Sequence, residues 1–154
     1  MTYRKYGYAY GPKVVVTAKV ANTGDIADGD IVVHDAVGGA TGAGYIKQWS
    51  TASDAVVGVA LEACSAPTSD GDVEIQIVLA LPTTVFTYPA STVTEARCFK
   101  RCDIDGAQSI NFDKDNFQNV WIVKVDEDDD LVDVIFLQTV GNGASPDEID
   151  YGAA

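Results

Sequence analysis

The sequence predicts a mainly β protein, a small β-barrel or β-sandwich with little helix and an extended N-terminal arm. Short runs of β-branched and apolar residues recur along the chain, and glycine, asparagine and aspartate residues separate them as turns. The 154 residues, 47% of them hydrophobic, suffice for one domain with its own core. Closely spaced short strands in a chain of this length are typical of packed or closed sheets.

Six segments carry the strand pattern. They are Val14–Val20, Ile31–Val37, Ala55–Leu61, Val73–Leu81, Val120–Val125 and Leu131–Val140. Pro82–Ser91 contains Pro82 and Pro89, and proline cannot donate a hydrogen bond to a neighbouring strand. We therefore expect an irregular or edge segment there.

The segment Ala96–Asp105 is compatible with two structures. Thr92-x-x-Glu95 would form a capping box at the start of a short helix. Cys98, Cys102 and Ile104 alternate with Phe99, Arg101 and Asp103, which is the pattern of a strand. We favour the strand.

The last two strands predict a hairpin with a defined register. Pairing Lys124 with Asp133 leaves Glu127–Asp130 in the turn. Apolar residues then face apolar residues in the other pairs, Val125–Val132, Val123–Val134, Trp121–Phe136, Ile122–Ile135 and Val120–Leu137. Because a slip by one residue would destroy this match, we expect this register, with both strands central in the core.

The pattern divides the chain into three parts. Residues 1–13 predict an extended arm, since tyrosines at even spacing give an extended segment one aromatic face and its glycines and proline disfavour a helix. Residues 14–140 predict a single β domain. Residues 141–154 predict an acidic C-terminal tail.

Charge is distributed unevenly along the chain. Residues 1–24 contain four bases and no acid, whereas residues 25–154 contain six bases and all 23 acids, a net charge of −17. This balance argues against nucleic-acid binding, which needs Lys and Arg to neutralise phosphates. No apolar run approaches the length of a membrane span, and the start lacks the apolar region of a secretory signal, so we expect no membrane association.

No pattern of catalytic, cofactor-binding or metal-ligating residues is evident, and we expect the protein not to be an enzyme. There is no Gly-x-Ser-x-Gly motif, and His34 is the one histidine. The three cysteines, Cys64, Cys98 and Cys102, are expected to be buried free thiols. The acidic runs at 126–130 and 103–106 lack the ligand spacing of a calcium loop, so we expect solvated turns there.

A series of short motifs resembles a known family. In order, they are Gly29-Asp30-Ile31-Val32-Val33, Val56–Ala63, Gly71–Ile75, Cys102–Gly106, Val123–Asp126 and Val132–Leu137. Each motif is short, and their order carries most of the specificity. Over roughly residues 29–140 this order is similar to that of the head decoration (capsid cement) proteins of tailed bacteriophages.

The resemblance implies a structural virion protein that has a β-tulip-like or related small barrel and no catalytic residues. Such a protein sits on the capsid exterior, commonly clusters as a homotrimer, and stabilises the assembled shell by bridging neighbouring major capsid proteins. The expected partners are therefore the major capsid protein and further copies of this chain. The tyrosine-rich arm and the acidic tail have no counterpart in the family pattern.

The arm supplies the candidate partner-binding residues. They are Tyr3, Arg4, Lys5, Tyr6, Tyr8 and Tyr10, because aromatic and arginine side chains are the usual anchors of protein interfaces. Two alternatives come from other classes. A carbohydrate- or surface-binding β-sandwich module would use Trp49, in a loop-like stretch, and an acidic domain stabilised by calcium would use the acidic turns.

Overall fold

The computed structural model describes residues 6–35, 44–50, 56–114 and 117–137, which form two antiparallel sheets. The strands are β1 (Gly7–Tyr10), β2 (Val15–Lys19), β3 (Ile31–His34), β4 (Ile46–Gln48), β5 (Val56–Ala60), β6 (Glu74–Leu79), β7 (Val85–Pro89), β8 (Arg101–Gly106), β9 (Ser109–Asn111), β10 (Val120–Asp126) and β11 (Leu131–Phe136). A 3-10 helix spans Glu95–Arg97. The expected mainly β architecture with little helix is confirmed.

The two sheets differ in strand order. The six-stranded sheet has the order β1-β7-β11-β10-β8-β9, and the five-stranded sheet has the order β2-β6-β5-β3-β4. All six predicted strand segments contain an observed strand, whereas the three-residue strands β4 and β9 were not predicted. The tail, residues 141–154, lies outside the described residues.

The five-stranded sheet is curled so strongly that its two edge strands, β2 and β4, come together at one point. Val20, just after β2, forms a parallel bridge with Ile46 of β4, and the Ala21 N–H donates to the Ile46 carbonyl oxygen at 2.9 Å. The sheet therefore has an inner face, which is filled by a cluster of buried aliphatic side chains. This cluster comprises Val20, Ile26, Val32, Ile46, Ala60, Ile75 and Ile77.

A second, larger core lies between the curled sheet and the six-stranded sheet. Ile31, Val59 and Val78 contribute to it from the curled sheet, and Phe86 and Phe136 are among its members from the other sheet. Because successive residues of a strand point to opposite faces, β3, β5 and β6 supply both cores. This double burial explains why β3 and β5 are apolar at nearly every position.

Gly58 is required by the close approach of two strands. A Cβ atom at this position would lie 2.1 Å from the Val78 carbonyl oxygen on the neighbouring strand β6. Backbone atoms cannot yield as a flexible side chain can, so any larger residue would force β5 and β6 apart. The glycine of the Val-Gly-Val-Ala motif is thus explained by strand packing.

The Pro82–Ser91 segment was predicted as irregular or edge, and this was wrong for its central part. Strand β7 lies inside the six-stranded sheet, paired with β1 on one side and β11 on the other. Pro82 lies before the strand, and Pro89 is its last residue, opposite Leu131. Both prolines therefore avoid the middle of the strand, where a missing N–H would cost most.

The hairpin register is confirmed near the turn and wrong beyond it. The pairs Lys124–Asp133 and Val125–Val132 form as predicted. The register then shifts by one between Ile122 and Lys124, and the pairs become Ile122–Val134, Trp121–Ile135 and Val120–Phe136. The bulge at Val123 lets Val120, Ile122 and Val125 all point into the core, which strict alternation could not achieve.

Both alternatives for Ala96–Asp105 occur, one after the other. Glu95–Arg97 is a single helical turn, and the predicted strand begins at Arg101 as β8. The capping box is not formed, because Thr94 occupies the N-cap without a side-chain hydrogen bond and Thr92 has a positive φ of 56°.

A buried carboxylate holds the turn before β3. Asp30 Oδ2 accepts hydrogen bonds from the Ala27 N–H (2.8 Å) and from Gln48 Nε2 (2.7 Å), and Oδ1 accepts one from Gln108 Nε2 (2.8 Å). Gln48 belongs to β4, whereas Gln108 lies between β8 and β9 of the other sheet. Asp30, only 2% exposed, thus connects the two sheets through charge-assisted hydrogen bonds.

The preceding Gly29 supplies a second connection. Its φ of +92° favours glycine, and a Cβ atom there would lie 2.9 Å from the Tyr6 carbonyl oxygen. Its own carbonyl oxygen accepts a buried hydrogen bond of 2.7 Å from the Tyr88 hydroxyl on β7. Burial, and secondly the Asp30 charge, raise the pKa of Tyr88 well above its usual value, so this hydroxyl remains a donor.

Replacing the carboxylate by an amide should destabilise the fold. In Asp30→Asn the new NH₂ group faces hydrogen-bond donors, so at least one of them loses its acceptor. We expect the free energy of unfolding to fall by about 2–3 kcal/mol, measured by urea denaturation with an unchanged m-value. Asp105→Asn, at an exposed position on β8, is the matched control. Equal unfolding midpoints for the two variants would contradict the role given to Asp30.

Candidate partner-binding site

Part of the predicted arm is a strand of the domain. Gly7–Tyr10 forms β1, which pairs with β7 at one edge of the six-stranded sheet. The candidate residues Tyr6, Tyr8 and Tyr10 are therefore held in place, whereas Tyr3, Arg4 and Lys5 lie outside the described residues.

The expectation of one continuous aromatic face was wrong for Tyr8 and Tyr10. Tyr8 pairs with Phe86 and Tyr10 with Val85, so a bulge at Ala9 interrupts the alternation. Because Phe86 and Val85 are consecutive residues of β7, the two tyrosines lie on opposite faces of the sheet.

The side chain of Tyr8 makes its contacts within its own chain. Its ring packs edge-on against Phe86 at 6.4 Å between centroids, and its hydroxyl donates to the Gly11 carbonyl oxygen at 2.7 Å. The Lys13 ammonium lies 4.9 Å from the centre of the same ring, within the range of a cation–π interaction. Tyr8 therefore anchors the N-terminal segment to the domain.

Tyr10 and Tyr6 are the outward-facing tyrosines of this segment. Tyr10 is 51% exposed and Tyr6 is 37% exposed. Val14 and Val15, which follow the corner between β1 and β2, are also exposed. The edge formed by β1 and the start of β2 thus presents aromatic and aliphatic side chains next to Lys13, on a chain whose net charge is −13.

A cleft of about 170 Å³ opens between β1 and β5. Its lining contains the phenol rings of two tyrosines, one amine, one carboxylate and several aliphatic side chains. The lining residues are Tyr6, Gly7, Tyr8, Lys13, Asp28, Val59, Ala60 and Leu61. This volume is below the roughly 300–1,000 Å³ typical of small-molecule pockets. The cleft is of a size to receive one side chain of a partner protein.

Sequence reasoning found the tyrosines of this site but missed its other wall. Asp28 lies in the turn before β3, and Val59–Leu61 is at the end of β5. The local sequence around Asp28 is that of an ordinary turn, and the local sequence of Val59–Leu61 is that of an ordinary strand. These residues lie next to the tyrosines because β1 contacts β5, where Gly7 approaches Val59.

The acidic turn of the β10–β11 hairpin uses its carboxylates locally. Asp126 Oδ1 accepts hydrogen bonds from the N–H groups of Asp128 and Asp129, both at 3.2 Å. Glu127 Oε1 accepts one from the Glu95 N–H at 2.7 Å. Within the described parts of the chain, no group of three or more histidine, cysteine or acidic side chains is arranged to hold a metal ion.

The second acidic run, at 103–106, is also used within the fold. Asp103 is buried, and its Oδ1 accepts hydrogen bonds from the N–H groups of Phe117 (2.9 Å) and Gln118 (2.8 Å). These two bonds fix the chain just before β10. The expectation of a solvated turn was therefore wrong for Asp103, whereas Asp105 is exposed.

The two tryptophans do not form an open platform for a sugar ring. Trp49 packs against the larger core, and its indole nitrogen is buried. Trp121 is half-buried, and its Nε1–H donates to the Phe99 carbonyl oxygen at 3.0 Å. Part of the stacking surface that a carbohydrate-binding module would need at Trp49 is thus used in packing.

No protein-family model matches the chain. Neither the curated proteins nor the solved structures give a significant match. In the part of the chain that the structure describes, no helix is long and apolar enough to cross a membrane.

All three cysteines are free, but only Cys102 is buried; Cys64 and Cys98 are half-buried. Burial, followed by the Asp103 charge, raises the pKa of the Cys102 thiol to about 12. At pH 8 only about 10⁻⁴ of this thiol is ionised, and the thiolate is the reactive form.

Cys102 should therefore resist alkylation in the native protein. We expect peptide mapping after maleimide treatment at pH 8 to find Cys102 unmodified in the folded chain and fully modified in urea. The half-buried Cys98 is the internal comparison. Labelling of Cys102 at the same rate as Cys98 in the native chain would contradict its placement in the core.

Proposed function

We propose that this chain is a structural virion protein that binds the outside of an assembled phage capsid and stabilises it by bridging neighbouring major capsid proteins. The observation that carries the proposal is the exposed aromatic edge of β1, with Lys13 beside it, on a strongly acidic chain. The motif order over residues 29–140, which resembles that of head decoration proteins, supports the same function.

The charge distribution suits a position on the shell exterior. Residues 25–154, with a net charge of −17, repel nucleic acid and stay solvated. The basic first 24 residues, in contrast, favour an acidic partner surface. A protein of this kind needs only to bind the assembled lattice better than free subunits, because binding then stabilises the assembly by mass action. Because many copies of such a protein bind symmetric positions on the shell, a weak contact made by each copy adds up to a large stabilisation of the shell.

The structure suggests a division of roles among the tyrosines. Tyr8 holds β1 against the domain through Phe86 and Gly11. Tyr10 and Tyr6 point outward and are free to become buried in an interface. Tyrosine loses little conformational entropy on binding and buries a large area, so exposed tyrosines on a rigid strand are effective anchors.

Replacing the outward tyrosines should weaken capsid binding while leaving the fold intact. We expect Tyr6→Ser/Tyr10→Ser to reduce co-sedimentation affinity for expanded phage heads lacking this protein by about 10–100-fold, the usual effect of losing interface anchors. Phe117→Ser is the matched control, because Phe117 is 48% exposed and its N–H bonds to Asp103 of β8, four strands away from β1 in the six-stranded sheet.

Deleting residues 2–12 would be a poorer test, because it removes β1 and with it the partner of β7. Binding by the double variant equal to that of the Phe117→Ser control would overturn the role of the β1 edge. Failure of the unmodified chain to sediment with heads at any stage of maturation would overturn the capsid function itself.

We also propose that the chain associates as a homotrimer, as the resemblance implies. Light scattering of the purified protein should give three times the mass of one chain, independent of concentration in the micromolar range. A monomer that binds expanded heads would contradict the preformed trimer and leave the capsid function standing.

A further inference from the structure

Phe99 occupies a turn position that ordinarily belongs to glycine. The Lys100 N–H donates to the Arg97 carbonyl oxygen at 3.0 Å, which closes a four-residue turn, the 97–100 turn. Cys98 has a φ of −58° and a ψ of 135°, and Phe99 has a φ of +67°. These angles define a type II turn, whose third residue needs a positive φ and is usually glycine or asparagine.

Hydrogen bonds to β10 fix the backbone around Phe99. The Phe99 N–H donates to the Ile122 carbonyl oxygen at 2.7 Å, and the Phe99 carbonyl oxygen accepts a hydrogen bond from Trp121 Nε1 at 3.0 Å. The Ile122 N–H donates in turn to the Lys100 carbonyl oxygen at 3.0 Å. The turn is therefore held in a conformation that a bulky residue rarely adopts.

The side chain of Phe99 gives the fold little in return for this strain. It is 69% exposed, more than any other large hydrophobic side chain among the described residues. Glycine would adopt the same φ without strain, and a ring that stays in water adds little apolar burial. Backbone strain that the fold does not need is concentrated at binding and catalytic sites. The turn thus presents an aromatic side chain at a fixed place on the surface.

The turn lies in a basic stretch of a strongly acidic chain. Residues 97–101 contain Arg97, Lys100 and Arg101 and no acid, whereas the rest of the chain contains seven bases and 23 acids, a net charge of −16. Lys100 is exposed, and Arg101 is half-buried. Arg97 lies 3.8 Å from the exposed Asp113 carboxylate, and an exposed pair of this kind contributes little. An aromatic anchor flanked by cations suits an acidic protein surface.

The chain itself offers such an acidic surface. Two copies, each with a net charge of −13, repel one another unless their contact sets a cation-rich surface against an acidic one. Two stretches of the sequence are rich in cations, residues 1–24 and residues 97–101. The first is assigned above to the capsid, so the second is the one available for a contact between copies.

We propose that the 97–100 turn inserts Phe99 into the acidic surface of a second copy of this chain and anchors the contact between copies. This inference rests on the homotrimer proposed above. A two-fold contact centred on the turn would bring two basic stretches together, which like-charge repulsion opposes. A head-to-tail contact instead sets the turn against a different surface of the next copy, and such contacts close into rings such as a trimer.

Substitution of Phe99 tests the anchor. Phe99→Gly removes the ring and suits the type II turn, so the circular-dichroism spectrum should stay unchanged. The protein concentration at which light scattering shows dissociation into single chains should rise at least about tenfold. Phe99→Asn, which also tolerates a positive φ, should behave in the same way. Tyr10→Ser removes an exposed aromatic ring at the β1 edge, and this control should leave the trimer intact.

The outcomes separate the anchor from the trimer. Dissociation of Phe99→Gly at the same concentration as the unmodified chain would overturn the anchor and leave the trimer standing. Loss of binding to expanded heads by a Phe99→Gly trimer would place the turn on the shell and overturn its assignment to a second copy. An unmodified chain that is monomeric at every concentration would overturn both proposals.

Two charge reversals test the complementarity. Lys100→Glu and Lys19→Glu change the net charge by the same amount, and both lysines are exposed. Lys100→Glu should raise the dissociation concentration at least about tenfold more than Lys19→Glu, because only Lys100 belongs to the turn. Equal effects of the two reversals would show general repulsion between acidic chains and overturn the acidic surface as the site that receives Phe99.

Discussion

The buried carboxylate of Asp30 is the constraint on which the arrangement of the two sheets depends. It accepts hydrogen bonds from the turn before β3, from Gln48 on β4 and from Gln108 between β8 and β9. An ionised group removed from water is tolerated only where its oxygens are well satisfied, so these donors must stay in place together. Together with the hydrogen bond from the Ile31 N–H to the Ala107 carbonyl oxygen (2.8 Å), this requirement fixes the position of the β8–β9 hairpin relative to the curled sheet.

The curled sheet explains why a small domain can have two apolar cores. One core fills the curl and the other lies between the sheets, and the strands β3, β5 and β6 contribute to both. Strands that are buried on both faces cannot shift relative to their neighbours, because a shift in either direction would expose apolar side chains. Gly58 then becomes essential, since it lets β5 approach the Val78 carbonyl oxygen closely enough for both faces to pack.

The sequence was informative about strands whose pattern is long and uninterrupted, and uninformative where the backbone departs from strict alternation. The hairpin turn at 127–130 and the pairs beside it followed from charge and apolar matching, but nothing local marks Val123 as the bulged residue. β4 and β9 are too short to show a pattern, and the prolines around β7 hid an internal strand. At the candidate site the tyrosines were visible, whereas Asp28 and Leu61 reach them only through tertiary folding.

The bulge at Ala9 places Tyr8 and Tyr10 on opposite faces of the sheet, which a regular strand could not do. Without it, Tyr8 and Tyr10 would point the same way, and the segment would be either packed on the domain or fully available to a partner. With it, Tyr8 faces Phe86 and fixes the strand, and Tyr10 turns outward on the opposite face. For the proposed partner-binding role, a tyrosine held on a fixed strand would lose less entropy on binding than one on a free arm, so the bulge would favour a stronger contact for the same buried area.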